Sequence, residues 1–298
     1  MPHLARASAL ATLTLSLITV HACACALAAQ TSTPVPNQEP QHEPPPYNQF
    51  LVVPLRIHVL ASSTLPEAHC TLSDEDLARI LGKMNRIWHQ AGIHFGVESV
   101  IREEAAGVER FTKTRDESRG PVPLAAFRTL APAQSRDRQL LNVYYIHQFS
   151  VNGVYLGDGT AFVQDTAQLR PVPGGIDEPI PRVTAHELGH ALGLPHRQAR
   201  TNLLASGTTG TSLIESEIHK ARETAVARWN ALRTSDLARR AQSNPDTARA
   251  LWGWLAEIPG EDAIKHKATE ELQRTAQSQP KESPTNLLER NPTHDAHP

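Results

Sequence analysis

The chain has 298 residues with 29 basic and 31 acidic side chains, and its formal net charge of −2 excludes a generic nucleic-acid binder, which would carry a strong basic excess. Its three cysteines are too few for a scaffold held together by disulfide bonds. Histidine is the commonest metal ligand, so the first question is whether the 15 histidines cluster along the chain.

Residues 1–29 have the pattern of a secretory signal peptide. Arg6 lies in a short basic start, an apolar run covers 7–20, and an A-x-A cleavage site follows at 26–28. The apolar run is short and ends in small residues, which favours a cleaved peptide over a membrane anchor. The pattern predicts an exported protein, extracellular or periplasmic, with no stable membrane span after cleavage. A partial lipobox ending at Cys23 leaves lipoprotein anchoring as an alternative.

Composition divides the rest of the chain into four parts. Residues 30–49 are rich in proline, glutamine and threonine and predict an extended spacer. The segment 50–232 carries the periodic patterns of the main folded domain, and 233–276 predicts a helical extension that packs on it or forms a small bundle. The polar, proline-punctuated segment 277–298 predicts a disordered tail.

The first half of the main domain alternates between strand and helix patterns. Residues 50–60 are rich in β-branched and apolar side chains and predict a strand, in which Pro54 favours an edge position or a bulge. The clearest helix is predicted from Ser73, as cap, to Ala91, and Gly92 ends it. A second strand is predicted over 93–101.

The second half of the domain contains two further strand patterns and one helix start. Residues 140–149 form an apolar and aromatic run that predicts an interior strand, and the glycine-rich segment 151–164 predicts a bent or bulged strand. A helix is predicted to begin near Pro181. Strands alternating with helices indicate an α+β fold of mixed α/β layers with a twisted mixed sheet, followed by C-terminal helices.

The histidines do cluster, in the segment VTAHELGHALGLPH. His186 and His190 are four residues apart, so their imidazoles leave one face of a helix and can bind one ion. Gly193 can end the helix in a left-handed conformation and return His196 as a third ligand. Three protein ligands leave one position open, as in a catalytic zinc site. Glu187, next to the first ligand, is the predicted general base.

This H-E-x-x-H-x-x-G-x-x-H pattern resembles that of the metzincin zinc endopeptidases, locally the matrixins. The resemblance implies a mixed sheet whose edge strand binds substrate, an active-site helix carrying one catalytic zinc ion, and a methionine turn beneath the metal. Neither methionine of the chain lies where that turn is expected. Leu204 takes the methionine's place in the expected turn at 202–207.

Other metal sites are alternatives to this one. A gluzincin arrangement would use Glu215 or Glu217 as the third ligand, whereas a solvated helix face capped by Ser212 is the simpler interpretation. Cys70 could block a zinc ion as a thiolate. Asp158 and Asp165 could contribute to a calcium site, although nothing else in the sequence supports one. The side chains of the remaining histidines are predicted to be packed or exposed, namely those of His58, His69, His94 and His147.

The sequence therefore predicts an exported zinc endopeptidase that acts on peptides or proteins, with Glu187 as general base and His186, His190 and His196 as metal ligands. An extended substrate is expected to pair with the strand at 151–164. The alternative is a secreted or envelope-associated zinc-containing binding module without proteolytic activity, which the missing methionine favours. Nothing in the sequence indicates an oligomeric state.

Overall fold

A computed structural model describes residues 42–120 and 122–278. The predicted signal peptide lies outside the described residues, as do residues 30–41 of the spacer and 279–298 of the tail. The helices are α1 Asp74–Trp88, α2 Val108–Glu117, α3 Leu124–Phe127, α4 Pro179–Ala191, α5 Glu215–Trp229, α6 Thr234–Ser243, α7 Pro245–Glu257 and α8 Ala263–Ser278. The strands are β1 Leu51–Ala61, β2 Ile93–Glu104, β3 Leu141–Ile146, β4 Gly153–Tyr155, β5 Thr160–Gln164 and β6 Leu232–Arg233.

The strands form one mixed sheet in the order β2-β1-β3-β5-β4, with β6 paired to the start of β1. Strands β1, β2, β3 and β5 are parallel, while β4 and β6 run antiparallel to their neighbours. Helices lie in the connections from β1 to β2 and from β2 to β3, whereas β3 reaches its parallel neighbour β5 through β4. The predicted α+β class with a mixed sheet is confirmed.

The predicted edge position of β1 is wrong, because β1 lies between β2 and β3. The Leu51 amide donates to the carbonyl of the residue that precedes β2. Because the backbone groups of successive residues alternate between the two sides of a strand, those of Pro54 face the opposite side, away from β2. On that side, pairing with β6 ends at Val52 and pairing with β3 begins at Leu55. The missing N–H of Pro54 therefore falls in a gap between two partners. A register shift against β2 follows directly, between Leu55 and Arg56.

Helix α1 begins where its sequence predicts but ends at Trp88, and a 3-10 turn over His89–Ala91 completes the predicted span. The Ser73 hydroxyl accepts from the Asp76 amide at 3.1 Å, and the Asp76 carboxylate accepts from the Ser73 amide at 3.1 Å, which closes a capping box. Gly92 follows at φ 60° and turns the chain into β2. The apolar side of α1 is buried, with Ile80 and Trp88 among the fully enclosed side chains.

The segment 151–164 is a hairpin, so the prediction of a single bent strand is wrong. Gly157 and Gly159 both have positive φ, 79° and 78°, and they reverse the chain between β4 and β5. The glycines thus make a turn rather than a bend. As a result β4 becomes the last strand of the sheet, with one side unpaired among the described residues.

The two faces of the sheet are covered by different helices. Alternate residues of β3 enter separate apolar clusters, with Val143 and Tyr145 facing α1, α4 and α5 while Tyr144 and Ile146 face α2 and α3. Tyr145 also shares a 3.0 Å hydrogen bond with Thr184 on α4. Helix α4 is therefore held against the sheet, beside its β4 edge.

The C-terminal helices form a third cluster and pack on the start of the sheet. Trp254 on α7 donates from its indole to the Val97 carbonyl at 3.0 Å, and its ring lies over Gly96, where any Cβ would come within 2.5 Å of it. Tyr47 donates from its phenol to the Leu255 carbonyl. The helices thus both form a bundle and dock on the domain. No helix in the described ranges is long and apolar enough to cross a membrane.

Candidate metal centre

Helix α4 places two of the three predicted ligands. His186 and His190 lie one turn apart near its C-terminal end, and their Nε2 atoms are 3.2 Å from each other. The two rings are nearly perpendicular, with an interplanar angle of 85°. The i, i+4 spacing in the sequence is therefore realised as two nitrogens on one face of the helix.

The third ligand arrives through a chain reversal at Gly193. This residue has φ 82°, a left-handed conformation that costs glycine little and other residues more. The Leu194 amide donates back to the Gly189 carbonyl at 3.0 Å and closes the reversal. His196 then comes back to the helix, with its Nε2 3.2 Å from that of His190. Its ligand atom and those of the two helical histidines all lie within 4.8 Å of one another.

Backbone carbonyls set the tautomers of the two helical histidines. The Nδ1 atoms of His186 and His190 lie 2.8 Å from the carbonyl oxygens of Leu203 and Leu194. A carbonyl oxygen only accepts, so each Nδ1 carries the proton and each Nε2 presents a lone pair. Two lone pairs 3.2 Å apart repel each other unless a cation lies between them.

Two of the three separations suit a tetrahedral metal ion. Zinc–nitrogen bonds of about 2.0–2.1 Å at tetrahedral angles put two ligand nitrogens about 3.3 Å apart. The observed separations of 3.2 Å between His190 and each of its partners match that value. The three histidines could hold a metal ion, and this is the only such group of three in the described part of the chain.

The electrostatics keep the helical ligands in the form that binds metal. Burial and the neighbouring Arg182 guanidinium lower the pKa of His186 to about 3. Burial also lowers the pKa of His190, although its bond to the Leu194 carbonyl opposes the shift. Both imidazoles are therefore neutral at neutral pH, and a neutral imidazole is the form that coordinates a metal.

Glu187 lies beside this cluster, between α4 and the edge strand. Its side chain is buried, and burial raises its pKa to about 8, opposed by the Arg182 charge and by a hydrogen bond from the Tyr155 backbone. Strand β4 passes so close that a Cβ on Gly153 would come within 2.8 Å of the Glu187 carboxylate and 2.5 Å of Val183. Gly153 is thus a site residue that sequence reasoning assigned only to strand shape.

Residues 202–205, within the segment 202–207 where a turn is expected, form a turn that packs against α4. Leu204 is fully buried and packs against the middle of α4, where a Cβ on Gly189 would lie 3.1 Å from its Cδ1. The Leu203 carbonyl in the same turn accepts from His186, and the Leu204 carbonyl accepts from the Arg197 amide at 3.0 Å. One turn therefore supports both the first ligand and the segment that carries the third.

Glu217 has a structural role that excludes it as a free ligand. Its carboxylate pairs with Arg197 and accepts from the Asn202 amide group at 2.8 Å and from the Ile214 backbone at 3.0 Å. The expectation of a solvated face capped by Ser212 is wrong, because Ile214 is the cap residue and Glu217 is buried. Glu215 is exposed and has no part in the histidine cluster. The sequence offers no signal for the partners of Glu217.

The other candidate metal ligands have protein partners. Cys70 is buried, which raises its pKa to about 12, so it is a thiol rather than a metal-binding thiolate. Asp158 pairs with Arg128 at 2.8 Å, and Asp165 lies 2.9 Å from Nδ1 of His147. Those two carboxylates therefore do not form a common calcium site. None of the other histidines considered joins a group of three potential ligands in the described residues, namely His58, His69, His94 and His147.

Replacement of Gly193 by alanine is expected to weaken zinc binding. The substitution strains a left-handed residue, at a cost of about 1–2 kcal/mol, and brings a Cβ within 3.2 Å of Thr224, so the segment carrying His196 must shift. Gly174→Ala is the matched control, since Gly174 has φ 71° and open space around it. Both variants should lose stability in urea unfolding, and only Gly193→Ala should lose zinc affinity in a chelator competition. Equal zinc affinities would contradict the role of Gly193.

A cleft of about 380 Å³ connects the histidines, Glu187 and the outer side of β4. A larger pocket of about 600 Å³, beside α1, contains none of the cluster residues. No protein-family model matches the chain, and no curated protein has a significantly similar sequence.

Proposed function

We propose that this chain is an exported zinc endopeptidase of the metzincin type. The observation that carries the proposal is the convergence of three histidine Nε2 atoms beside the buried carboxylate of Glu187, in a cleft that opens on the edge strand β4. A structural zinc site normally has four protein ligands, whereas a catalytic site has three and one open position. Export rests on the pattern of residues 1–29.

The residues present fit zinc. His186, His190 and His196 would hold the ion through neutral imidazole nitrogens, with two of the rings oriented by backbone carbonyls. A bound zinc ion supplies Lewis acidity, which lowers the pKa of a water molecule and polarises a peptide carbonyl. Since all three ligands are uncharged, the full charge of the ion would remain available for that purpose.

Glu187 is the general base of the proposed reaction. In its ionised form, which the positive charge of a bound ion would favour against the burial that raises its pKa, the Glu187 carboxylate would take a proton from the attacking water and pass it to the nitrogen of the leaving amine, so that no proton is gained or lost over the reaction. Glu187 projects from α4 into the cleft beside the three histidines, and the Tyr155 backbone N–H donates to its carboxylate. Because the Glu187 carboxylate lies near the ligands but is bound to a backbone amide, it can face the water rather than the metal.

The free edge of β4 is the proposed binding surface for a peptide. Leu156 donates to the Thr160 carbonyl and Asn152 accepts from the Gln164 amide, so alternation turns the backbone groups of Gly153 and Tyr155 away from β5. The Tyr155 N–H is engaged by Glu187, and the other outward groups are available to an extended chain. Substrate would therefore add a strand to the sheet, next to the metal.

Chelator treatment tests the proposal against the binding-module alternative. The full-length protein should cleave unfolded casein, lose that cleavage in 1,10-phenanthroline, and regain it when zinc is restored. The physical reason is that zinc binding is reversible whereas the histidine cluster is part of the fold. A protein that binds one zinc ion per chain and cleaves neither casein nor gelatin would be a binding module, and the proposal would be wrong.

A further inference from the structure

Arg182 is a buried cation in the wall of the metal centre. Arg182 lies one turn before His186 on α4, and only 1% of its surface is exposed. Its Nε donates to the Gly210 carbonyl at 3.1 Å, and its Nη2 donates to the carbonyls of Asn202, at 3.4 Å, and Ala205. Nη1 lies 3.3 Å from Nδ1 of His186, but that nitrogen already carries a proton for the Leu203 carbonyl, so the contact is not a hydrogen bond.

These contacts enclose the turn that orients two metal ligands. The Leu203 carbonyl accepts from His186, and the Leu204 carbonyl accepts from the amide that follows His196. Arg182 holds the carbonyls on either side of that pair, those of Asn202 and Ala205. The second ligand, His190, is oriented instead by the Leu194 carbonyl, outside the turn.

The chemistry of the side chain suits this role. A guanidinium has five N–H donors in a rigid planar fork, which suits several carbonyls at once, whereas an ammonium group is a compact point charge. No carboxylate in the described residues lies within 4 Å of Arg182 as an ion-pair partner, so the turn carbonyls are its main partners. A buried charge is costly unless its donors are used, and here Nη2 donates to two carbonyls of the turn while Nε donates to the Gly210 carbonyl beyond it.

We propose that Arg182 is a positioning residue of the metal centre, which fixes His186 and the segment of His196 by holding the carbonyls that flank Leu203 and Leu204. It does not contact the ion. It acts as a polar clamp on a turn whose apolar residues Leu203 and Leu204 are buried in the core. The inference concerns metal binding and extends the proposed function, but it does not depend on proteolysis.

The test compares zinc affinity and cobalt absorption in four full-length proteins. Arg182→Met removes the clamp, Arg182→Lys keeps the charge without the fork, and Arg222→Met is the matched control. Arg222 likewise donates to three backbone carbonyls, those of Gln49, Ala91 and Gly92, away from the metal ligands. Zinc dissociation constants come from chelator competition, Co²⁺ bands report ligand geometry, and urea unfolding reports stability.

Loss of a group that orients a metal ligand typically costs about 10–100-fold in metal affinity, and Arg182→Met should fall in that range with altered Co²⁺ bands. Arg182→Lys should be intermediate. Arg222→Met should lose stability while its zinc constant and Co²⁺ bands match those of the wild type. If Arg182→Met does not fold, the lysine variant decides alone.

Wild-type zinc affinity and wild-type Co²⁺ bands in a folded Arg182 variant would overturn the inference, since Arg182 would then only stabilise the fold. Equal losses of zinc affinity in the Arg182 and Arg222 variants would overturn it as well. A wild-type protein that binds zinc but cleaves nothing would refute the protease proposal and leave this comparison valid, because its readouts do not use activity.

Discussion

Glu187→Gln is expected to abolish peptide hydrolysis while zinc remains bound. The amide has nearly the same shape but cannot accept the proton of the attacking water, and general acid–base catalysis typically contributes about 10²–10⁴-fold in rate. We therefore expect kcat/KM on a fluorescent casein or peptide substrate to fall by about 10²-fold or more. Zinc content, measured on the same preparation, should remain one ion per chain, because the three histidines are untouched.

Glu103→Gln is the matched control for this change. Glu103 is a partly buried glutamate, whereas Glu187 is buried, and the Glu103 carboxylate lies 2.7 Å from Nδ1 of His58 on β1, outside the histidine cluster. Its replacement should leave kcat/KM close to that of the wild type even if the protein becomes less stable. Substantial activity in Glu187→Gln would show that Glu187 is not the base, and the proposed mechanism would be wrong.

His190→Ala is expected to remove the stabilisation that zinc confers on the wild-type protein. A ligand that binds only the folded state stabilises it by about 4 kcal/mol when its free concentration is 1,000 times Kd. For a protein of this size that corresponds to a rise in Tm of about 8–16 °C. The Nε2 atom of His190 lies 3.2 Å from that of each of the other two histidines, so its loss removes both of these close pairs. Thermal unfolding with and without zinc measures the effect.

His219→Ala controls for the loss of a histidine that is not in the cluster. His219 is exposed on α5 and pairs with Glu223 one turn away, at 3.1 Å. The variant should show the full zinc-dependent rise in Tm. If His190→Ala retained that rise, the three histidines would not be the metal site, and both the zinc assignment and the protease proposal would fail.

Local rules were sufficient wherever the decisive contacts are close in sequence. Helix α1 has its capping box between Ser73 and Asp76, three residues apart, and helix α7 begins with a similarly local contact, in which the Asn244 side chain accepts from the Asp246 amide at 3.1 Å. The histidine cluster is of the same kind. Its spacing within one helix and one glycine reversal determines most of its geometry.

Predictions failed where a residue's neighbours come from distant parts of the chain. Pro54 indicated an edge or a bulge because proline lacks a donor, but the sequence does not show that two different strands pair with the same side of β1 and leave a gap there. Glu217 looked like a solvated residue because its helix pattern is polar. Its partners Arg197 and Asn202 lie 20 and 15 residues away, in a loop without periodicity.

The sequence by itself determined the three histidines, the adjacent glutamate and the glycine reversal, because helical spacing and a left-handed glycine act over only a few residues. Only the tertiary structure placed Gly153 against Glu187 and Arg182 under the turn at 202–205. Burial and long-range hydrogen bonds depend on which elements pack together, and no local pattern encodes that. The metal ligands are thus read from the chain, while the groups that hold them in place appear only once it is folded.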